Sequence, residues 1–337
     1  MLRRALQVAR SYVQPKALVL MYHRVAELES DIWNLAVTPT HFEQHLQILT
    51  QAGNILSVPE LVDRFKRNAL QRRSLAITFD DGYLDNFTNA KPLLEQYQLP
   101  ATFFIASGNI GKAQEFWWDE LEAIFLLSEH LPRVCSLFIK GNAIAADLQE
   151  EQWLTASLQH RHRQWSAVNE APPSLRAALF YRVWALLKTM PHADQQQAIL
   201  RLRDWAGLPR VVRPGYLSMS AAELQKVSHN PLFTIGAHTV THPALTSLAP
   251  ALQAQELSFS QGALSQITTE GVELLAYPYG ECSDETTAIA ADLAFEAAFT
   301  TQAHAITRHT ARHRMGRFQV NNWTGEVFAH HLRNWLR

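Results

Sequence analysis

Short apolar runs of five or six residues recur along this 337-residue chain, separated by segments with helical periodicity. Such runs are far too short to cross a membrane and too evenly apolar for a strand with one wet face. They read instead as strands buried on both sides. Ala17-Leu18-Val19-Leu20-Met21-Tyr22, Leu75 to Phe79 and Ala101 to Ala106 are three of them, and Leu232 to Gly236, Val272 to Ala276 and Ala294 to Phe299 are three more. Their alternation with helices predicts a parallel α/β fold. Thr40 and Glu43 predict a capping box that opens a helix with Phe42, Leu46 and Leu49 on one face and a stop near Gly53. Ser57 and Glu60 give the same start signal for a second helix, and Leu93, Leu94 and Tyr97 mark another.

Residues 108–216 break this alternation. They read as several helices, including 116–130, 174–190 and 193–208, and hold six of the nine tryptophans. The expectation is one domain over residues 1–337 with a helical insertion at about 108–216, its exit marked by Pro209 and Pro214.

Composition narrows the function classes. Apolar residues at 47% and charged residues at 18% suit a chain with a substantial core. A net charge of −1 provides no electrostatic footprint for nucleic acid. Cys135 and Cys282 make no disulfide framework, which fits a reducing compartment, so a cytoplasmic location is expected. No transmembrane segment is expected, because no run approaches ~18 consecutive apolar residues. Leu2, Leu6, Ala9 and Val13 could line one face of a short basic helix. A docking helix is the preferred reading there, with peripheral contact at the inner membrane surface as the alternative.

The residues suited to metal chemistry fall just past the ends of these strands, where parallel α/β proteins place their sites. Asp80 and Asp81 close one apolar run, and His238 and His242 stand four apart after another. Catalytic zinc sites use three protein ligands and keep a position open. Asp81, His238 and His242 would supply that set, with the H-x-x-x-H spacing placing both rings on one side of a helical turn. Asp80 then remains as the candidate general base for a metal-activated water. Taken alone, Asp-Asp-Gly is also a common turn, and two spaced histidines are often merely solvated. The residues by themselves reach as far as a metal hydrolase. Two histidines and a carboxylate also fit a non-haem iron oxygenase, against which stands the spare aspartate beside the ligand aspartate.

Thr78-Phe79-Asp80-Asp81-Gly82-Tyr83, His238-Thr239-Val240-Thr241-His242 and Tyr277-Pro278-Tyr279-Gly280, in that order, resemble the first three motifs of the polysaccharide deacetylase family (NodB homology, carbohydrate esterase family 4). Leu20-Met21-Tyr22-His23-Arg24-Val25 resembles the opening strand of members associated with exopolysaccharide synthesis. The resemblance covers about residues 17–107 and 217–320. It implies a distorted (β/α)7 barrel and a divalent metal, zinc first and cobalt, nickel or iron as alternatives. It also implies removal of N-acetyl or O-acetyl groups from a sugar or glycan substrate, a lipid-linked precursor among the options. By the resemblance Asp80 is the catalytic base, Asp81, His238 and His242 are metal ligands, and the Tyr279 backbone N–H helps to hold the oxyanion.

Two positions depart from the family pattern. The third motif often opens with an arginine that orients the base, and here Ala276 occupies that place. Arg317 is the candidate to supply the charge from another strand, with a plain surface arginine as the alternative. The late leucine-x-histidine motif carrying the general acid is not recognisable, although His304, His309 and His313 lie in that part of the chain. His23 is the preferred catalytic substitute, against a structural histidine. Trp117, Trp118 and Asp119 are candidate substrate-binding residues that could line a glycan cleft; alternatively the tryptophans anchor the insertion. A catalytically impaired glycan-binding protein on the same fold is the remaining alternative.

Overall fold

The computed structural model describes residues 15–268 and 270–337. The N-terminal helix expected from Leu2, Leu6, Ala9 and Val13 lies outside the described residues. Among the described residues no helix is long and apolar enough to cross a membrane.

Seven parallel strands form the main sheet: β1 (Ala17–Tyr22), β2 (Ser74–Phe79), β3 (Ala101–Ile105), β4 (Phe233–Ala237), β5 (Leu274–Ala276), β6 (Ala297–Phe299) and β7 (Phe318–Gln319). Their spatial order is β6-β5-β4-β3-β2-β1-β7, and Asn54–Ile55 adds a short parallel pairing on β2. All of β1, β2 and β3 is buried, as the apolar runs require. β5 and β6 are shorter than their sequence runs; Ala294, with φ +59°, takes a left-handed turn that delays the start of β6.

The sheet curls until its edges are tied together. Phe299 of β6 bridges in parallel to Met315, and Phe318 pairs with Leu20 of β1. Met315 N donates to Ala298 O at 2.9 Å and Ala298 N to Arg312 O at 3.1 Å. The segment 312–319 therefore touches both edges and closes a distorted (β/α)7 barrel. Alternate residues face two cores. Leu18, Leu20 and Tyr22 pack outward with Phe42, Leu46 and Leu49, while Val19, Ala76, Phe104, Ala276, Phe299 and Met315 share the other cluster.

Helix α1 (Pro39–Ala52) starts two residues before the expected box, with Thr38 as its cap and Gly53 at its end. Pro39 at the first helical position loses no hydrogen bond there and favours the earlier start. Helix α2 (Val58–Lys66) opens as expected, the Ser57 side chain accepting from Glu60 N. One further helix matters below, α3 (Pro250–Ser265).

The register sets the rim. Tyr22 is level with Phe79, Ile105 with Ala237 and Ala276 with Phe299. His23, Asp80, His238 and Tyr277 follow those strand ends directly, so they emerge at one end of the barrel.

Contacts divide the chain into two compact units, the second made of Leu28–Leu35 with Gly111–Ser218. Its helices Leu175–Lys188 and His192–Ala206 match the sequence reading closely, and Trp117–Glu122 runs on into a wider turn at Ala123–Leu127. It also contains an antiparallel hairpin, Val134–Ile139 with Asn142–Asp147, where only helices were expected. Lys140 and Gly141, both with positive φ (46° and 83°), make the tight two-residue turn that such a hairpin favours.

Candidate active site

β2 ends at Phe79, and Asp80 N prolongs its pairing by donating to Tyr22 O at 3.0 Å. The chain then turns through two left-handed residues, Asp81 at φ +73° and Gly82 at φ +83°. A Cβ on Gly82 would come within 2.9 Å of Ile105 Cδ1, so only glycine fits. Asp81 is held in this unfavourable conformation from several sides: Ala106 N donates to its carbonyl at 3.3 Å, and Met219 N donates to Gly82 O at 3.0 Å. The turn sends two adjacent carboxylates in different directions.

His238 follows β4, its N–H donating to Ile105 O at 3.0 Å. The four-residue step to His242 is a loop and not the expected helical turn. Thr239 and His242 have φ +65° and +55°, and Pro243 disfavours a right-handed helical residue before it. Thr239 Oγ1 accepts from His242 N at 3.0 Å and stabilises the loop. The two imidazole rings lie 4.9 Å apart, and their Nε2 atoms stand 3.5 Å and 3.3 Å from Asp81 Oδ1. One ligand atom from each of Asp81, His238 and His242 lies within 4.8 Å of the others.

These residues fit a divalent ion. His238 Nδ1 lies 2.7 Å from Ala276 O, and a carbonyl can only accept, so Nδ1 carries the proton and Nε2 is the atom that would meet an ion. Asp81 Oδ1 is buried without a hydrogen bond of its own. Burial, the largest influence, pushes the His242 imidazole down to about 3 and keeps it neutral. Burial would raise the Asp81 carboxyl, but the His238 and His242 imidazoles hold it well below the usual carboxylate range. Burial would lower His238 as well, and the facing Asp81 and Asp80 carboxylates outweigh it and raise it. Two imidazole nitrogens and one carboxylate accept zinc, cobalt, nickel or iron.

Asp80 sits beside this group in a bidentate pair with Arg317, Nη1 to Oδ1 at 2.7 Å and Nη2 to Oδ2 at 2.6 Å. Arg317 is wholly buried and is aimed by Thr300 O, 3.1 Å from Nε, and by Thr78 Oγ1, 3.2 Å from Nη1. Burial alone would raise the Asp80 carboxyl; the Arg317 charge reverses this and lowers it. His23 Nε2 lies 4.0 Å from Asp80 Oδ2. Tyr279, in a left-handed conformation at φ +58°, sets its ring 4.7 Å from that of His242.

Comparison with known proteins identifies the family and the fold. A model of the family "Polysaccharide deacetylase" matches residues 67–129 and 188–298, more than half of the chain. The chain belongs to the polysaccharide deacetylase family. A poly-beta-1,6-N-acetyl-D-glucosamine N-deacetylase of Staphylococcus aureus (strain MSSA476) is 31% identical over 114 residues. That match takes in 30% of this chain and 39% of the relative, so the chain spans well under half the length of the curated relatives it matches. The Streptococcus pyogenes deacetylase PplD, solved in complex with acetate, has a similar fold, with a TM-score of 0.58 at 17% identity over 96% of this chain and 100% of that one. IcaB from Ammonifex degensii gives 0.57 at 18% identity, over 96% and 97%.

Against the family pattern, this chain differs in where Asp80 finds a cation. The place of the motif arginine is filled by buried Ala276, and the guanidinium arrives instead from Arg317, just before β7. His304 and His309 are exposed, and His313 Nε2 is engaged with Phe295 O at 2.8 Å, so none of the three stands in for the family's late histidine among these contacts.

The glycan-cleft reading of Trp117, Trp118 and Asp119 is corrected. They are 2%, 6% and 7% exposed, Trp118 is stacked on Phe116 at 4.4 Å, and Trp117 packs edge-on against Trp118 at 5.6 Å. Side chains this deeply buried present no open surface to a sugar. Three participants escaped the sequence reading: Thr239, the Ala276 carbonyl and Glu256. The first had a signal, a hydroxyl three residues before His242. The other two act through backbone groups that no motif records.

Proposed function

We propose that this polysaccharide deacetylase is a metal-dependent hydrolase that removes N-acetyl groups from a glucosamine-containing polysaccharide, producing acetate and a free amine. The observation that carries this reading is the convergence of Asp81, His238 and His242 beside an Asp80 kept ionised by Arg317. The substrate class draws on the staphylococcal relative, whose name specifies poly-β-1,6-N-acetyl-D-glucosamine.

Asp81, His238 and His242 would hold the ion. A divalent ion in such a site supplies Lewis acidity and brings the pKa of water to about 7. Asp80 takes the proton of the attacking water as its oxygen adds to the amide carbon, and Arg317 keeps that carboxylate charged and aimed. The Tyr279 backbone N–H donates to the oxyanion that develops on the former carbonyl oxygen. His23 returns a proton to the amine nitrogen as the C–N bond breaks. Water and amide thereby become acetic acid and amine, with the net proton passing from Asp80 to His23 between turnovers.

The test is acetate release from N-acetylglucosamine oligomers by protein loaded in turn with zinc, cobalt and nickel, beside a His238→Ala, His242→Ala double variant. The expected result is about one ion per chain, with ion and acetate release both absent from the double variant. Wild-type protein that takes up none of the three ions overturns the reading.

A further inference from the structure

The loop between the two histidines has no helical ladder of its own, yet its backbone is secured. Residues 239–241 are gripped from two sides. On one side, Ser107 N donates to Thr239 O at 3.0 Å and Gly108 N to Val240 O at 2.8 Å. The approach is close enough that a Cβ on Gly108 would come within 2.5 Å of Val240 O. On the other side stands one carboxylate. Glu256 Oε2 accepts from Val240 N at 2.8 Å and Thr241 N at 2.9 Å, while Oε1 accepts from Thr241 Oγ1 at 2.7 Å.

Glu256 belongs to α3, which is fixed in the barrel wall by the buried side chains of Leu257 and Leu264. A rigid helix thus presents a charged acceptor to two successive amides of the short span joining His238 to His242. Charge-assisted hydrogen bonds of this kind are about twice as strong as neutral ones. Because Thr239 and His242 both adopt left-handed backbone conformations, the span would relax if its donors were released. Relaxation would move one imidazole relative to the other.

We propose that Glu256 is a positioning residue that fixes the distance and angle between the His238 and His242 imidazoles, and thereby sets the affinity and geometry of the metal site. Its carboxylate touches neither ligand ring; it acts through the Val240 and Thr241 amides. The proposal rests on the reading of Asp81, His238 and His242 as metal ligands and adds the outer support that they require.

The test uses the full chain as Glu256→Ala and Glu256→Gln variants, with His242→Ala as a control. Zinc affinity is measured by competition with a chromophoric chelator, and the cobalt form by its visible d–d absorption. Outer partners of metal ligands typically contribute 10–100-fold in affinity, so Glu256→Ala is expected to weaken zinc binding by about that factor and to shift the cobalt spectrum. Glu256→Gln keeps one carbonyl acceptor, so it restores part of the affinity and of the spectrum. A residue that only stabilised the fold would lower the melting temperature without altering the cobalt spectrum. If Glu256→Ala does not fold, Glu256→Gln decides alone. Wild-type zinc affinity and an unchanged cobalt spectrum in the folded variants overturn the role of Glu256 and leave the metal site standing. A wild-type chain that binds neither zinc nor cobalt overturns both.

Discussion

Asp80 at the barrel rim and Glu122 in the second unit are both buried, at 2% and 5% exposure, yet they settle into opposite charge states. Burial pushes Glu122 up to about 8, and the neighbouring Asp119 and Asp31 add to the rise. Arg213, whose charge opposes the rise, is engaged with Glu115, Nη2 to Oε2 at 2.6 Å and Nε to the same oxygen at 3.0 Å. Asp80, by contrast, receives both terminal nitrogens of Arg317 and lies below its ordinary value. Desolvation alone neutralises a carboxylate; a committed bidentate cation keeps it charged in equally dry surroundings. At neutral pH the rim holds a charged carboxylate, and the second unit holds an acid that keeps its proton.

That contrast can be broken at four points. The largest expected effect is from Asp80→Asn, which preserves shape and removes the base. Acetate release should fall by about 10²–10⁴-fold while the ion stays bound, a result read by turnover together with metal content; full activity, or a lost ion, would contradict the assignment. Next is Arg317→Met, which leaves Asp80 buried without its counter-charge. Breaking a buried pair this way typically removes about 3–5 kcal/mol, measurable by urea unfolding at pH 7. Because the native Asp80 carboxyl is lowered, its contribution to wild-type stability is present above the ordinary carboxylate range and lost as pH falls through the native value. The same variant should move the acid limb of the pH–rate profile upward, and an unmoved limb would show that Arg317 does not set the charge of Asp80.

Glu122→Gln has the opposite sign. Native Glu122 holds its proton to about pH 8, whereas an unfolded glutamate releases it near 4.5, so wild-type stability declines as pH rises between those values. The amide should therefore stabilise the protein at pH 9, on the order of 2–4 kcal/mol, and change little below pH 4.5. Equal effects at both pH values would mean that Glu122 is not neutral in the native state. The smallest expected effect is from Thr239→Val, which takes the acceptor from His242 N. One net hydrogen bond is about 0.5–1.5 kcal/mol, so zinc affinity should drop roughly 2–10-fold in chelator competition.

Much of the barrel could be read from local pattern because its first three strands are buried on both faces. Their residues are apolar without interruption, and β1 falls where its apolar run does. The carboxylates and imidazoles were visible for a related reason: each follows a strand end directly, so strand position carries site position. What escaped detection depends on contacts distant in the chain or on backbone geometry. Arg317 could be named only as a candidate beside a plain surface arginine, because it meets Asp80 across 237 residues, a pairing that no periodicity records. The path from His238 to His242 was misread as helical although Pro243 was there to argue against it. Glu256 carried no sequence signal, since two of its partners are main-chain amides. In the second unit the hairpin was missed because Lys140-Gly141 is a weaker turn signal than Asn-Gly.

Barrel closure has a consequence for the order in which this protein can become active during its own synthesis. A nascent chain that has emerged through Phe299 already contains both aspartates, both histidines and the Tyr277–Gly280 turn. It still lacks the segment 312–319, which joins the sheet edges and delivers the cation that Asp80 needs. Until that strand docks, the prospective base is an unpaired acid in an open sheet. The site would thus be completed in one step, when that segment docks and the barrel shuts.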